Sequence, residues 1–355
     1  MAVGELRWRL AGDDGGQGSL FTDEELVERH VGGGEYRGLE FLHVNARRII
    51  NEVPGASRMP FRFTINAYRG CSHSCVYCFA RPTHEYLGLG IGEDFDTKLV
   101  VKINAVERVR AELAAPKWAG EHIAMGTNTD PYQRCEAKFH LTRGIVGVLG
   151  EAANPFSVLT KSTLILRDLD LLKAAATRTD VRANFSIGTL DENVWKATEP
   201  GTPHPRRRVE AVARLNEAGI PCGVLVAPVL PCISDSPEQL EDVVKACVEA
   251  GAVSVSALGL HLRPGVKEHF MTWLRTNRPE LVGEYERRYR RAYLPSEEQK
   301  ALSARVRRLV DKYRGRFRPP SATRPVGGRH RRQPSRPPSP RPRTDPDAGQ
   351  LGLEM

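Results

Sequence analysis

With 355 residues, 40% of them hydrophobic, and a formal net charge of +9, the chain is long enough for one sizeable α/β domain plus appendages. No run of 18 apolar residues occurs and the N-terminus has no basic-then-apolar signal pattern, so neither membrane spanning nor secretion is expected. Seven cysteines, an odd number with three of them clustered, fit a reducing cytoplasm better than a disulfide framework. The charge is uneven. Residues 319–355 hold seven arginines against Asp345, Asp347 and Glu354, so the tail supplies +4 and the rest only +5, compatible with a nucleic-acid partner without demanding one.

In chain order, residues 1–60 are a lead-in of Gly/Asp-rich loops and partial disorder. Within it the pattern predicts a short helix over 22–29, with Thr22 as cap and Glu25 three residues on, and a segment 41–53 packed onto the main domain. Residues 61–67 alternate and are partly β-branched, which reads as a strand. A loop with three cysteines comes next. Helical spacing then appears at 104–115, a strand at 121–125, a helix at 142–153, a strand at 156–160, a helix at 164–176 and a strand at 181–188. A helix over 207–218 closes on Gly219, and the nearly continuous apolar run 220–230 suits a strand buried on both faces. Ser236, Pro237 and Gln239 open another helix with a capping box, and 252–258 is the sixth strand. Strand–helix units recurring about every 30 residues argue for parallel strands joined by crossovers. A doubly wound sheet and a partial barrel both fit that order. Beyond the sixth strand, 266–275, 284–292 and 297–313 read as helices. In the last, Ser296 and Gln299 suggest a second cap, and Arg305, Arg307, Arg308 and Lys312 suggest a solvated basic face. From Pro319 onward, nine prolines among Arg, Ser and Gly exclude a packed core, and a disordered basic tail is expected.

The chemistry is carried by Cys71, Cys75 and Cys78, spaced C-x3-C-x2-C on the loop leaving the first of these strands. Thiolates so close in sequence converge on a soft metal centre: zinc, Cu(I) or an iron–sulfur cluster. A structural zinc site needs a fourth ligand, which His73 or His84 could supply. Alternatively, three irons of a 4Fe–4S cube take the thiolates and the fourth iron stays open. No second C-x2-C pair exists to complete a four-cysteine set.

The cysteine spacing, with aromatic Tyr77 before the last cysteine, resembles the signature of the radical S-adenosylmethionine (SAM) superfamily. The ordered segments Thr160-Lys161, Phe185-Ser186-Ile187, Glu199-Pro200-Gly201-Thr202 and Ala227-Pro228 resemble, more narrowly, the spore photoproduct lyase-like branch, often labelled DNA repair photolyase-like. The resemblance spans about residues 61–260. It implies an α/β fold, a partial (β/α)6 TIM-type barrel over 61–265, with a helical extension over 266–318 and the tail 319–355. It also implies a 4Fe–4S cluster on Cys71, Cys75 and Cys78, with SAM on the open iron. SAM would be held by the strand-end residues Gly126, Thr127, Asn128 and Asp130, by Lys161 and Ser186, and by Tyr77 beside the cluster and adenine. Such an enzyme cleaves SAM to a deoxyadenosyl radical, draws electrons from a partner such as flavodoxin or ferredoxin, and is expected to be a cytoplasmic monomer. Two departures separate this chain from photoproduct repair. The lyase places a cysteine hydrogen donor at the second strand end, where Met125-Gly126-Thr127 stands, and a tyrosine after the third cluster cysteine, where Phe79 stands. Cys135 is the nearest thiol to Gly126 and the candidate donor. The substrate could be nucleic acid, a peptide or a small molecule. The rival from another class is a non-catalytic zinc protein that binds nucleic acid.

Overall fold

The computed structural model describes residues 24–54 and 59–314. Two sheets organise them. The smaller contains β1 (Glu24–Val31), β2 (Glu40–Ala46), β5 (Tyr68–Arg69) and β6 (Lys98–Lys102) in the order β1-β2-β6-β5. The segment expected to be a helix over 22–29 is therefore the edge strand β1 from Glu24, and Thr22 lies outside the described residues. Its sequence EELVERHV carries no three-to-four-residue apolar stripe, so the antiparallel ladder with β2 decides its conformation. This sheet was not legible in advance, because β6 (KLVVK) is too short to declare itself and its partners are remote in sequence.

The larger sheet contains β3 (Ile50–Glu52), β4 (Phe63–Ile65), β7 (Ile123–Met125), β8 (Phe156–Thr160), β9 (Val181–Ser186), β10 (Cys222–Val229) and β11 (Val255–Gly259). Its order is β11-β10-β9-β8-β7-β4-β3. From β4 to β11 each strand pairs parallel with its predecessor, while β3 adds antiparallel to the β4 edge. A doubly wound sheet reverses its strand order at a switch point; this one never does. The chain forms the open six-unit barrel, and the C-terminal ends of its strands converge on one mouth, where function gathers in such barrels.

The crossovers carry α1 (Glu93–Thr97), α2 (Ala105–Leu113), α3 (Glu136–Phe139), α4 (Leu141–Glu151), α5 (Leu169–Ala176), α6 (Glu192–Thr198), α7 (Pro205–Glu217) and α8 (Pro237–Glu249). The main core lies between the sheet's outer face and α2, α4, α5, α7 and α8, through residues such as Val109, Leu149, Leu172, Leu215 and Val243. The expected capping box at Ser236 and Gln239 forms, with hydrogen bonds of 3.2 and 3.4 Å. The segment 164–176 begins as 3-10 helix over Thr163–Asp168 before α5.

Three further helices complete the chain's described part: α9 (Val266–Asn277), α10 (Val282–Arg288) and α11 (Ser296–Arg314). Helices α9 and α10 share a buried cluster with Cys75 and Tyr77 through Phe270, Leu274 and Tyr285, so the extension braces the cysteine loop. Helix α11 packs on α8 through Val306, Val310 and Tyr313. Gln299 serves another purpose than the cap expected of it: its side chain bonds Gly259 N at 2.9 Å, tying α11 to the end of β11. Arg305, Arg307 and Arg308 are exposed, and Lys312 pairs with Glu241 at 2.5 Å. The tail from Pro319 lies outside the described residues, as do residues 1–23. Among the described residues, no helix is long and apolar enough to cross a membrane.

Candidate active site

The cysteine loop leaves β5 through Gly70, whose positive φ of 74° and close neighbours, with Lys98 O 3.0 Å from where a Cβ would stand, admit only glycine. Side chains then hold the loop from three sides. Gln133, fully buried, accepts from Ser72 N at 2.9 Å and donates to Gly70 O at 3.0 Å. Arg81, 1% exposed, donates to Cys75 O at 3.0 and 3.2 Å and forms a two-bond pair with Asp96. Gly201 N donates to His73 O at 3.1 Å, and Val76 N to Thr198 O at 3.1 Å. The anchors thus come from the β7–β8 crossover (Gln133), the β9–β10 crossover (Thr198 and Gly201) and the segment that follows the cysteines (Arg81).

Cys71, Cys75 and Cys78 line one cavity at the barrel mouth, together with Tyr77, Gly126, Asn128, Asp130, Lys161 and Ser186. Burial pushes all three thiols up; for Cys71 the Asp130 carboxylate adds to that, and for Cys75 the Glu199 carboxylate does.

At the third strand end, Lys161 Nζ donates to Ser186 Oγ at 2.6 Å and lies 3.0 Å from Glu199 Oε1. Glu199 also pairs with Arg208 at 2.5 Å and accepts the Tyr77 hydroxyl. Both Glu199 and Arg208 are buried. The carboxyl is held well below the usual range: burial opposes this, and Arg208, Lys161 and Tyr77 overcome it. Ser186 Oγ in turn donates to Ala227 O at 2.7 Å. A single buried anion therefore orders the lysine, the tyrosine and an arginine around the cavity wall. Glu199 stands in the motif Glu199-Pro200-Gly201-Thr202, whose spacing alone assigns it no role. The signal available was an acid placed directly before a Pro-Gly turn. For Arg208, Gln133 and Arg81 no local signal exists, because their partners lie in distant segments.

The second strand end divides. Gly126 has φ 88° and comes against the Leu159 carbonyl so tightly that a Cβ would be 2.9 Å from its carbon. Gly126 and Asn128 line the cavity. Asp130 lines it too, but its carboxylate is spent on Thr160 Oγ1 (2.7 Å), Lys161 N (2.7 Å), Tyr132 N (2.9 Å) and His73 Nδ1 (3.4 Å). It braces strand ends to the cysteine loop. Two residues expected at the site do not line the cavity. Thr127 lies outside the cavity lining, its hydroxyl accepting from Asn66 at 3.5 Å. Cys135, the candidate hydrogen donor, is fully buried in the main core and does not line the cavity. The turn through Gln133 to α3 carries it inward, and burial with the neighbouring Glu136 pushes its thiol up.

The cavity rim is apolar and aromatic. Phe79 is 48% exposed and Leu258 50%. His261, also in the lining, stacks on Tyr293 with centroids 4.0 Å apart and planes 10° from parallel.

The donor set, three thiols lining one cavity with no fourth cysteine among its lining residues, fits three irons of a 4Fe–4S cube. Of the two candidate fourth ligands, His73 Nδ1 faces Asp130, and His84 bonds Lys98 O through Nε2 at 3.0 Å while its buried Nδ1 has no hydrogen-bond partner.

A family model described as Radical SAM superfamily matches residues 65–247. The chain is 45% identical over 287 residues to the uncharacterized protein Rv2578c of Mycobacterium tuberculosis, covering 81% of this chain and 84% of that one. It is 31% identical over 199 residues to the uncharacterized protein MJ0683 of Methanocaldococcus jannaschii, covering 56% and 70%. Among solved structures it is similar in fold to spore photoproduct lyase complexed with dinucleoside spore photoproduct, with a TM-score of 0.58 at 17% identity over 77% of this chain and 79% of the other. A structure of that lyase with bound AdoMet gives the same figures.

Proposed function

The chain belongs to the radical SAM superfamily, and we propose that it reductively cleaves SAM at a 4Fe–4S cluster held by Cys71, Cys75 and Cys78. The observation that carries this reading is the meeting of those three thiols with Lys161, Ser186 and the Gly126 backbone in one cavity. When bound, the cluster and SAM supply a one-electron cleavage that yields a deoxyadenosyl radical able to take a hydrogen atom from a substrate. The protein's part is to bind, orient and keep the site dry. The Lys161 ammonium is the counter-charge for the SAM carboxylate, and Ser186 fixes where that ammonium points. Asn128 offers an amide beside the close-approach backbone of Gly126. Phe79, Leu258 and Leu260 give the cavity an apolar wall that excludes water from a radical.

The substrate best suited to this rim is a planar heterocycle. Phe79 and the stacked His261–Tyr293 pair present aromatic faces at the mouth, and an unstacked or extruded nucleic-acid base would engage them. Electrons would come from a reduced carrier of the flavodoxin or ferredoxin type, and the chain would act as a monomer. With Cys135 in the core, the product radical would take its hydrogen atom from another donor group or back from deoxyadenosine.

The deciding experiment is anaerobic reconstitution with iron and sulfide, reduction and addition of SAM. Deoxyadenosine should form, and Cys75→Ala should lose both the cluster absorbance and the product. One bound zinc with neither iron uptake nor SAM cleavage would overturn the reading. Single-stranded oligonucleotides should bind in a salt-dependent way; failure of the protein to bind them would remove nucleic acid as the substrate class.

A further inference from the structure

On the small sheet, far from the cysteine loop in sequence, β1 and β2 bring three ligand-type side chains onto one face. Glu28 stands directly opposite His43 in the antiparallel register, and His30, two residues along β1, projects to the same side. Their ligand atoms all lie within 4.8 Å of one another. His30 Nε2 is 2.9 Å from Glu28 Oε2, and the two imidazole rings are 4.4 Å apart between centroids. His43 Nε2 is buried and has no hydrogen-bond partner, although a buried ring nitrogen without one is costly. Phe139 holds the His43 ring edge-on, with centroids 5.3 Å apart at 85°.

We propose that Glu28, His30 and His43 form a site for one divalent transition-metal ion of the zinc type, separate from the cluster, which clasps β1 to β2. Two imidazoles, one carboxylate and an open position for water form a recognised zinc ligand set. The ion would occupy the nitrogen that otherwise has no partner. It would also supply what β1 lacks. Val27 and Val31 are 43% and 83% exposed, so these two side chains do little to secure the edge strand. The register shift between Leu26 and Glu28 is a bulge of the kind that re-aims side chains beside a site. Lys138, lying over the Phe41 and Phe139 rings, is the cation that α3 contributes here.

The test uses the untagged, cluster-loaded chain, titrated with Zn2+ by calorimetry and with Co2+ by visible absorption. The wild type should bind one equivalent and show the d–d bands of a tetrahedral site. His30→Gln removes a half-exposed ligand without disturbing the core, and should weaken binding at least about tenfold while the cluster absorbance stays unchanged. Glu28→Gln should do the same, so the outcome does not depend on whether a His43 variant folds. No bound equivalent in the wild type, or unchanged affinity in both variants, would overturn the proposal.

Discussion

The Lys161 ammonium lies 3.0 Å from the buried Glu199 carboxylate, which is itself paired with Arg208 at 2.5 Å. One anion thus serves two cations, and the surplus positive charge faces the cavity through Lys161. Lys161→Met should leave iron loading intact, because no cluster ligand changes. SAM affinity should fall about 10- to 100-fold, the worth of one charge-assisted hydrogen bond. Calorimetry of SAM on the reconstituted variant measures this, and an unchanged affinity would remove Lys161 from the binding site.

Glu199→Gln tests the same network through stability. The folded carboxyl is depressed below its ordinary value. Its stabilisation is therefore complete above the unfolded carboxyl pKa of about 4.3 and fades as pH falls below it. Removing one partner of a buried ion pair costs about 3–5 kcal/mol. Urea denaturation of the apo protein should show that gap from wild type at pH 7, narrowing below about pH 4. A gap independent of pH would mean that Glu199 acts by packing alone.

Gly201 seats the cysteine loop. A Cβ there would run into the Ser72 carbonyl oxygen and stand 2.9 Å from His73 Cα, and backbone cannot step aside. Gly201→Ala should cost about 1–3 kcal/mol and lower the iron retained per chain. Gly147→Ala is the control. Its Cβ would meet only Leu171 Cδ1 at 3.9 Å within α4, so stability should rise by up to about 1 kcal/mol. Thermal melts with iron analysis decide between these outcomes.

Cys135→Ala removes one buried sulfur from the core. It should cost about 1 kcal/mol as a small cavity and leave deoxyadenosine formation at the wild-type rate. A large drop in that rate at unchanged stability would return Cys135 to the chemistry.

The elements that could be read in advance are those whose signal is local. The βα alternation from residue 61, the Ser236 capping box and the C-x3-C-x2-C spacing each depend on neighbours within a few residues, and each appears where expected. The strand β1 was misread because its conformation rests on a ladder to β2, not on its own periodicity.

The amino-acid sequence by itself determined the cluster of three cysteines and the parallel α/β units, since both follow from spacing along the chain, and its resemblance to a known family pointed to Lys161 and Ser186. Only the tertiary structure decided between a doubly wound sheet and an open barrel, because strand order is a property of pairing between distant segments. It alone made Glu199 the electrostatic hub, by bringing Arg208, Lys161 and Tyr77 from three different elements onto one carboxylate. It alone took Cys135 out of the site, because a thiol nine residues beyond Gly126 can face the cavity or the core, and the turn through Gln133 points it into the core.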